Sequence, residues 1–364
     1  MSQDVAGAAR DRAMALRDGF AAARGAAVID CAILQPAETL LDLYGEDIRA
    51  RAYVTQDPVR GEQMLRPDFT VPVVQMHMAG GAEPARYTYA GEVFRRQEDH
   101  PERASEYQQV GYEVFDRADP EAADAEVFVA IAEALGDIPV RAVTGDIGIL
   151  TAAVAGLRTS EARRAALMRH IWRPRRFRAL LNRYAGRTPV SDARAALLAA
   201  ADPMEGAGPL IGLRGEAEIA ARIETLRADA KEPPLSKSEL GMIDELLSVS
   251  ETCPFALEHL KHIAMDAPEL RAAVARFERR CEALSARGVD VDALGFEASY
   301  GRTSMEYYDG FVFGFASETR VDLPPLATGG RYDALTARLG AGRSIPAVGG
   351  VIRPDLTLLL EGVA

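Results

Sequence analysis

Residues 86–115 read RYTYAGEVFRRQEDHPERASEYQQVGYEVF and predict a long antiparallel β-hairpin. Two runs rich in Tyr, Val and Phe flank a polar, charged loop at 97–105 that contains a proline. Because side chains alternate between the faces of a strand, Gln109, Gly111 and Glu113 share one face. A mid-strand glycine commonly marks a place where another group approaches the backbone closely. An amide and a carboxylate on either side of that gap suit an ammonium group.

The same face has a simpler interpretation, in which Gln109 and Glu113 are hydrated side chains of a solvent-facing strand. The preceding strand favours a pocket instead, because it ends in Phe94, Arg95 and Arg96. An arginine at a strand end can hold a carboxylate or phosphate through two parallel hydrogen bonds. An ammonium site beside an anion site predicts a pocket for an amino acid or an aminoacyl phosphate.

Five motifs resemble those of class II aminoacyl-tRNA synthetases, in the histidyl-tRNA synthetase version. In chain order they are ILQPAETLLDLYG (33–45), MLRPDFT (64–70), FRRQE with EYQQVGYEVF (94–115), MEYYDGFVF (305–313) and GGRYDALTARLG with IPAVGG (329–350). They resemble the first signature motif, the strand before the second, the second motif, the tandem-tyrosine histidine-specificity strand and the start of the third motif. The resemblance implies an α+β fold, with a mostly antiparallel sheet flanked by helices and an α-helical insertion.

The composition is typical of a globular protein with an acidic surface. The 364 residues are 48% hydrophobic and 26% charged, with a formal net charge of −12. That acidity gives no general attraction for a nucleic-acid backbone, so no tRNA partner is expected. Three isolated cysteines, the lack of a signal core and the lack of a long apolar run predict a cytoplasmic protein with no membrane contact.

Helical and strand-like patterns divide the chain into three predicted segments. Residues 1–145 and 289–364 form the two parts of the synthetase-like core. Between them, residues 146–288 repeat Ala, Leu and Arg at helical spacing and predict the mostly helical insertion. Within the core, residues 6–24 predict an amphipathic helix that covers the sheet. Residues 37–44 predict a short helix that, by the resemblance, belongs to a homodimer interface.

The resemblance also implies a histidine pocket. Its binding residues are Asp68, Thr70, Arg95, Gln109, Glu113, Tyr307 and Tyr308. The two acidic residues and the glutamine would hold the ammonium group, the arginine the carboxylate side, and one tyrosine the imidazole. Asp68 has a second interpretation, as the cap of the helix that runs through Met78, and a cap and a ligand contact can coexist.

The Gly-Gly-Arg-Tyr unit at 329–332 has two interpretations. It predicts either a tight turn before the next helix or a wall of the pocket. Its place in the matched motif favours the wall, formed by Arg331 and Tyr332. No metal or cofactor is predicted, because His259 and His262 lack a third ligand and no Walker loop or GxGxxG is present.

Two catalytic arginines of histidyl-tRNA synthetases are missing from the corresponding positions. By the resemblance the first falls at Thr303, and Arg302, one residue away, would point to the opposite face of a strand. The second falls at Leu356. Losing two preorganised charge stabilisers, each worth about 2.7 to 4 kcal/mol, would slow adenylation by about 10⁴-fold or more. No catalytic residue is therefore predicted, and no anticodon-binding domain is expected after the third motif.

This combination is similar to the family of histidyl-tRNA synthetase-like regulatory subunits of ATP phosphoribosyltransferase, the first enzyme of histidine biosynthesis. The resemblance implies a non-catalytic chain that pairs with a short catalytic subunit and binds histidine as feedback effector. It also implies a homodimer within a hetero-oligomer, by resemblance a hetero-octamer. Two alternatives remain open: a histidine-activating ligase that dispenses with both arginines, and an assembly scaffold with a vestigial pocket.

Overall fold

A computed structural model describes residues 3–38, 52–97, 103–302 and 307–362, and a sheet of nine strands forms its centre. The strands of these residues are β1 (Ala27–Val28), β2 (Leu34–Pro36), β3 (Val54–Asp57), β4 (Gly61–Leu65), β5 (Ala85–Phe94), β6 (Glu106–Phe115), β7 (Val140–Asp146), β8 (Ser250–Thr252), β9 (Gly295–Glu297), β10 (Phe311–Ser317), β11 (Ala327–Arg331) and β12 (Ala347–Ile352). The main sheet has the order β1-β5-β6-β12-β11-β10-β7-β9-β8, and β2-β4-β3 form a small second sheet. Only the β1–β5 and β7–β9 pairs of the described strands are parallel.

Helices flank the main sheet. In the described residues they are α1 (Gln3–Arg24), α2 (Thr70–Met78), α3 (Pro120–Leu135), α4 (Ile147–Gly156), α5 (Glu161–Arg169), α6 (Pro174–Tyr184), α7 (Asp192–Ala199), α8 (Glu216–Lys231), α9 (Lys237–Ser248), α10 (Cys253–Asp266), α11 (Arg271–Ala286), α12 (Asp333–Leu339) and α13 (Pro354–Leu360). No helix among them combines the length and apolarity needed to cross a bilayer.

The predicted hairpin is confirmed. β5 and β6 pair without interruption from Ala85 opposite Phe115 to Phe94 opposite Glu106, while residues 98–102 of the predicted loop lie outside the described residues. On its other edge β6 pairs with β12. β6 is therefore an interior strand that is buried from Tyr107 to Phe115, whereas β5, beside the two-residue edge strand β1, is half-buried over most of its length.

The predicted N-terminal helix is also confirmed and covers the hairpin. The Phe20 ring of α1 stacks on Tyr112 of β6 with 5.4 Å between ring centroids. Burying a phenylalanine of this kind contributes about 1.5 to 3 kcal/mol. Most of the predicted helix at 37–44 lies outside the described residues.

The interval 146–288 contains eight α-helices, α4 to α11, as the helical periodicity predicts. It also contains β8, which pairs with β9 at the edge of the main sheet and which the sequence did not predict. A buried ionic contact ties this interval to the core. Arg280 of α11 donates to Asp124 of α3 at 2.9 Å and to Asp146 at 2.8 Å. Removing one partner of such a buried pair costs about 3 to 5 kcal/mol.

Candidate functional site

A cavity of about 790 Å³ opens between the β5–β6 hairpin and the start of α6. Pockets of about 300 to 1,000 Å³ are the usual size for small-molecule sites. Six residues of the predicted histidine-binding set line it, namely Asp68, Thr70, Arg95, Gln109, Tyr307 and Tyr308. Residues distant in sequence line one cavity because four parts of the chain meet there. These parts are the loop before α2, the end of β5, the start of β6 and the turn before β10.

Gln109 of β6 lies on the cavity wall and is only 2% exposed. Its side-chain oxygen is buried and accepts no hydrogen bond from any described residue. Buried polar atoms in native structures almost always have a partner. An amide oxygen in this state therefore suits a ligand that brings a donor, such as an ammonium group.

Asp68 lies on the same cavity and is 3% exposed. It precedes Phe69, which holds the N-cap position of α2. The interpretation of Asp68 as the N-cap is therefore wrong. Its carboxylate lies close enough to Glu113 for the two negative charges to affect each other.

Glu113 is not one of the residues that line the cavity. It is buried one layer behind the lining residue Thr70, whose hydroxyl donates to Oε1 at 3.2 Å. Tyr89 donates to the same oxygen at 2.8 Å, and Tyr332 donates to Oε2 at 2.5 Å. Burial raises the pKa of Glu113 to about 7, against the lowering effect of these three hydroxyls, and the Asp68 charge adds to the increase.

Gly111 does not open a gap for a ligand, so that part of the sequence interpretation is wrong. A Cβ at Gly111 would lie 2.3 Å from the hydroxyl of Tyr89, which faces it across the hairpin. The group that approaches the glycine backbone is thus the Tyr89 side chain, whose hydroxyl donates to Glu113. The Tyr89 ring also stacks on Phe69 at 4.3 Å between centroids, which fixes its position.

Arg331 and Tyr332 form neither a tight turn nor the cavity wall. Arg331 ends β11, a paired strand, and donates to Asp124 at 2.7 Å and to Asp333 at 3.0 Å behind the pocket. Tyr332 follows it in the chain, and its hydroxyl donates a hydrogen bond to Glu113. The prediction of a wall was wrong because ion pairs hold Arg331 in the interior. The pair with Asp124 of α3 joins residues distant in the sequence, so no local pattern reveals it.

Tyr307 and Tyr308 lie on the cavity with their ring centroids 4.9 Å apart. They precede β10, so the predicted specificity strand begins later than expected, and residues 303–306 lie outside the described residues. Burial and the neighbouring Glu113 and Asp68 charges raise the pKa of Tyr308, and Arg95 opposes them. A phenol in this environment stays protonated at neutral pH and can donate to an imidazole nitrogen.

Sequence reasoning missed two contacts of the cavity. Trp172, between α5 and α6, donates its indole N–H to the carbonyl oxygen of Tyr308 at 3.1 Å. Arg353 lines the cavity, lies 4.0 Å from the Tyr107 ring centroid and pairs with Asp355 at 3.0 Å. The only tryptophan of the chain was the one available signal for the first contact.

Arg302 also lines the cavity, which contradicts the expectation that it points to an opposite strand face. The residue lies in a turn, so the alternation of strand faces does not apply to it. Thr303, the position of the missing arginine, lies outside the described residues. Leu356 of α13 is 7% exposed and packs in the core.

The sheet and the pocket define a protein of the histidyl-tRNA synthetase-like class. The family model described as histidyl-tRNA synthetase matches residues 6–227 and 216–355. More particularly, the chain belongs to the ATP phosphoribosyltransferase regulatory subunit family. Relatives of that name from Brucella ovis and Brucella abortus are each 31% identical over 93% of this chain and 94% of their own.

Solved structures show the same fold. The chain is similar to an ATP phosphoribosyltransferase regulatory subunit/histidyl-tRNA synthetase from Bacillus halodurans C, with a TM-score of 0.67, 19% identity, and coverage of 97% of this chain and 78% of that one. It is also similar to a histidine–tRNA ligase subunit from Alicyclobacillus acidocaldarius, with a TM-score of 0.60, 22% identity, and coverage of 97% and 93%. The predicted class II synthetase-like α+β fold is confirmed.

Proposed function

We propose that this chain is the non-catalytic regulatory subunit of an ATP phosphoribosyltransferase and that it binds free histidine in the cavity as a feedback effector. Family membership supports the regulatory role in histidine biosynthesis. The observation that carries the histidine site is the buried side-chain oxygen of Gln109, which accepts no hydrogen bond within the described part of the chain and lies on the same cavity as Asp68 and Tyr308.

The chemistry of the wall suits a zwitterion with an aromatic side chain. Gln109 and Asp68 supply acceptors for the ammonium group, and Arg95 supplies a cation for the carboxylate side. Tyr308 supplies a donor for the imidazole, and Glu113 acts from behind by fixing Thr70. Charge-assisted contacts contribute about 1.5 to 3 kcal/mol each, enough together for micromolar affinity after the cost of association.

The assembly forms part of the same proposal. The chain forms a homodimer within a hetero-octamer that contains the short-form catalytic subunit, and it acts in the cytoplasm without tRNA. Its core comprises 1–145 and 289–364, with 146–288 as the insertion. A coupling of about 1 to 3 kcal/mol between the cavity and the catalytic subunit is sufficient for useful inhibition.

Inhibition of a reconstituted transferase tests the proposal. Histidine is expected to inhibit the complex with the wild-type chain. Gln109→Leu is expected to raise the half-inhibitory histidine concentration by about 10-fold or more, because it removes the ammonium acceptor. The measurement is transferase activity against histidine concentration.

The matched control is Gln108→Leu, the same change one residue away on the other face of β6. The Gln108 side-chain N–H donates a hydrogen bond to the Glu92 carboxylate at 3.0 Å. It is expected to leave inhibition unchanged. Equal histidine sensitivity of Gln109→Leu and wild type would favour the scaffold with a vestigial pocket. Histidine-dependent pyrophosphate exchange by the chain alone would instead favour the ligase.

A further inference from the structure

Two of the three cysteines of the chain meet between α10 and α11. Cys253 is the first residue of α10, and Cys281 lies in α11. Their thiols are in hydrogen-bond contact, with the S–H of Cys281 donating to the sulfur of Cys253. Neither thiol is part of a disulfide. Neither residue lines the cavity described above, so the pair is a separate feature of the molecule.

The packing of α10 on α11 holds the two thiols together. A short turn at 267–270 joins the two helices, which run antiparallel. Near this turn, Lys261 of α10 pairs with Glu278 of α11 at 2.8 Å. At the far end, the backbone N–H of Cys253 donates to the carbonyl oxygen of Leu294 at 2.8 Å and fixes the start of α10. The contact between the thiols is therefore built into paired helices and does not depend on a mobile loop.

The surroundings of the pair favour a thiolate on Cys253. The hydrogen bond from Cys281 lowers the pKa of Cys253, and burial opposes this effect. The Thr144 hydroxyl, 4.0 Å from the Cys253 sulfur, and the charge of Arg280 lower the pKa further. Arg280 is 3% exposed, and its Nη1 has no acceptor among the described residues. A helix start and a neighbouring cation are features that activate cysteines in proteins.

The pair also meets the requirements of reversible oxidation. Cys281 is half-buried, so a small oxidant can approach from its side, although Cys253 is only 1% exposed. A second thiol in contact captures an oxidised sulfur as a disulfide before it reaches a higher oxidation state. Cys31 provides a contrast within the chain, because the other two cysteines contact each other and burial raises the pKa of Cys31 to about 11.

We propose that Cys253 and Cys281 form an oxidisable thiol pair that hydrogen peroxide converts to an intrachain disulfide. The Cys253 thiolate attacks one peroxide oxygen: an S–O bond forms, the O–O bond breaks, and the departing hydroxide takes up a proton from solvent to give water. The Cys281 thiol then attacks the sulfenic sulfur. An S–S bond forms, the S–O bond breaks, and the thiol proton leaves with the hydroxide as a second water. Sulfur is oxidised and peroxide oxygen is reduced.

The disulfide closes a loop that contains most of α10 and α11. A cross-link of this kind restricts the unfolded chain, so the oxidised form is more resistant to heat. The link also lies beside Arg280, whose pairs with Asp124 and Asp146 attach α11 to the core. Oxidation therefore braces the interval 146–288 next to its attachment to the core, and a reducing dithiol reverses the change.

Thiol counting on the full chain tests the proposal. The chain is treated with hydrogen peroxide, freed of the reagent, unfolded in urea and titrated with a chromogenic disulfide. The wild type is expected to fall from three titratable thiols to one, and dithiothreitol is expected to restore all three. Peptide mapping is expected to show Cys253 linked to Cys281. The midpoint of thermal unfolding is expected to rise by about 3 to 6 °C on oxidation.

The matched control is Cys31→Ser, which keeps the pair and is expected to form the same disulfide with the same thermal shift. Cys281→Ser is expected to form no disulfide and to show no thermal shift. Three thiols retained by the folded wild type after peroxide would overturn the proposal. A disulfide that involves Cys31 or joins two chains would also overturn it, and so would oxidation to sulfinic acid without a disulfide. If Cys281→Ser does not fold, the wild-type peptide map decides: a link between Cys253 and Cys281 supports the proposal, and its absence overturns it.

Discussion

Gly349→Ala is expected to lower the free energy of unfolding by about 3 kcal/mol or more. A Cβ at this position of β12 would lie 1.3 Å from Oε2 of Glu113, the residue opposite it on β6. The carboxylate would have to leave the place where it accepts hydrogen bonds from Tyr89 and Tyr332. Overpacking of a core costs about 1 to 3 kcal/mol, and each abandoned buried hydrogen bond about 1 to 3 kcal/mol.

Urea unfolding followed by circular dichroism measures this effect. Gly241→Ala is the matched control, because it lies in α9 with no atom within 4 Å of a new Cβ, and a mid-helix alanine is expected to be about 0.5 to 1 kcal/mol more stable than glycine. In a Glu113→Ala background, Gly349→Ala is expected to cost much less, since the clash is gone. Equal costs in both backgrounds would show that Glu113 is not the group that requires glycine.

As the pH rises from 4.5 to about 7, the free energy of unfolding of the wild type is expected to fall relative to that of Glu113→Gln. The folded state raises the pKa of Glu113 from 4.5 to about 7, so the folded chain holds a proton that the unfolded chain has released. By linkage, the contribution of a protonated Glu113 is complete below pH 4.5 and is lost as the pH rises through about 7. At about 1.36 kcal/mol for each unit of pKa shift, the loss is roughly 3 kcal/mol.

Denaturation of both chains at about pH 5 and about pH 8 gives the comparison. Asp309 is also buried with a pKa raised to about 7, but it is present in both chains and therefore cancels in the difference. The neutral amide of glutamine cannot ionise. In Glu113→Gln, residue 113 therefore contributes nothing to the change of the free energy of unfolding with pH. Parallel pH profiles for the two chains would contradict the assignment of this titration to Glu113.

The sequence was sufficient for the features that local patterns encode. The β5–β6 hairpin follows from alternating residues around a polar loop, and Gln109 could be placed on the cavity face because the family motif is contiguous there. The helices of 146–288 follow from their 3.6-residue period. These features depend on neighbours within a few positions of the chain.

Features that depend on register or on distant packing were missed. The group facing Gly111 is Tyr89, and only the pairing of β5 with β6 places it there. Arg302 was assigned to a strand face, although the chain turns at that residue. The position of Arg331 in the matched motif predicts the cavity wall, and its actual partner, Asp124 of α3, is too far away in the sequence for a local pattern to reveal.

Calorimetric titration of free histidine into the purified wild-type chain tests the central claim most directly. The account predicts binding of one histidine per chain with a dissociation constant of about 1 μM, a value about 10-fold or more higher in Gln109→Leu, and an unchanged value in Gln108→Leu. Absence of both heat and a thermal shift with histidine, from a chain whose circular dichroism shows an intact fold, would contradict it.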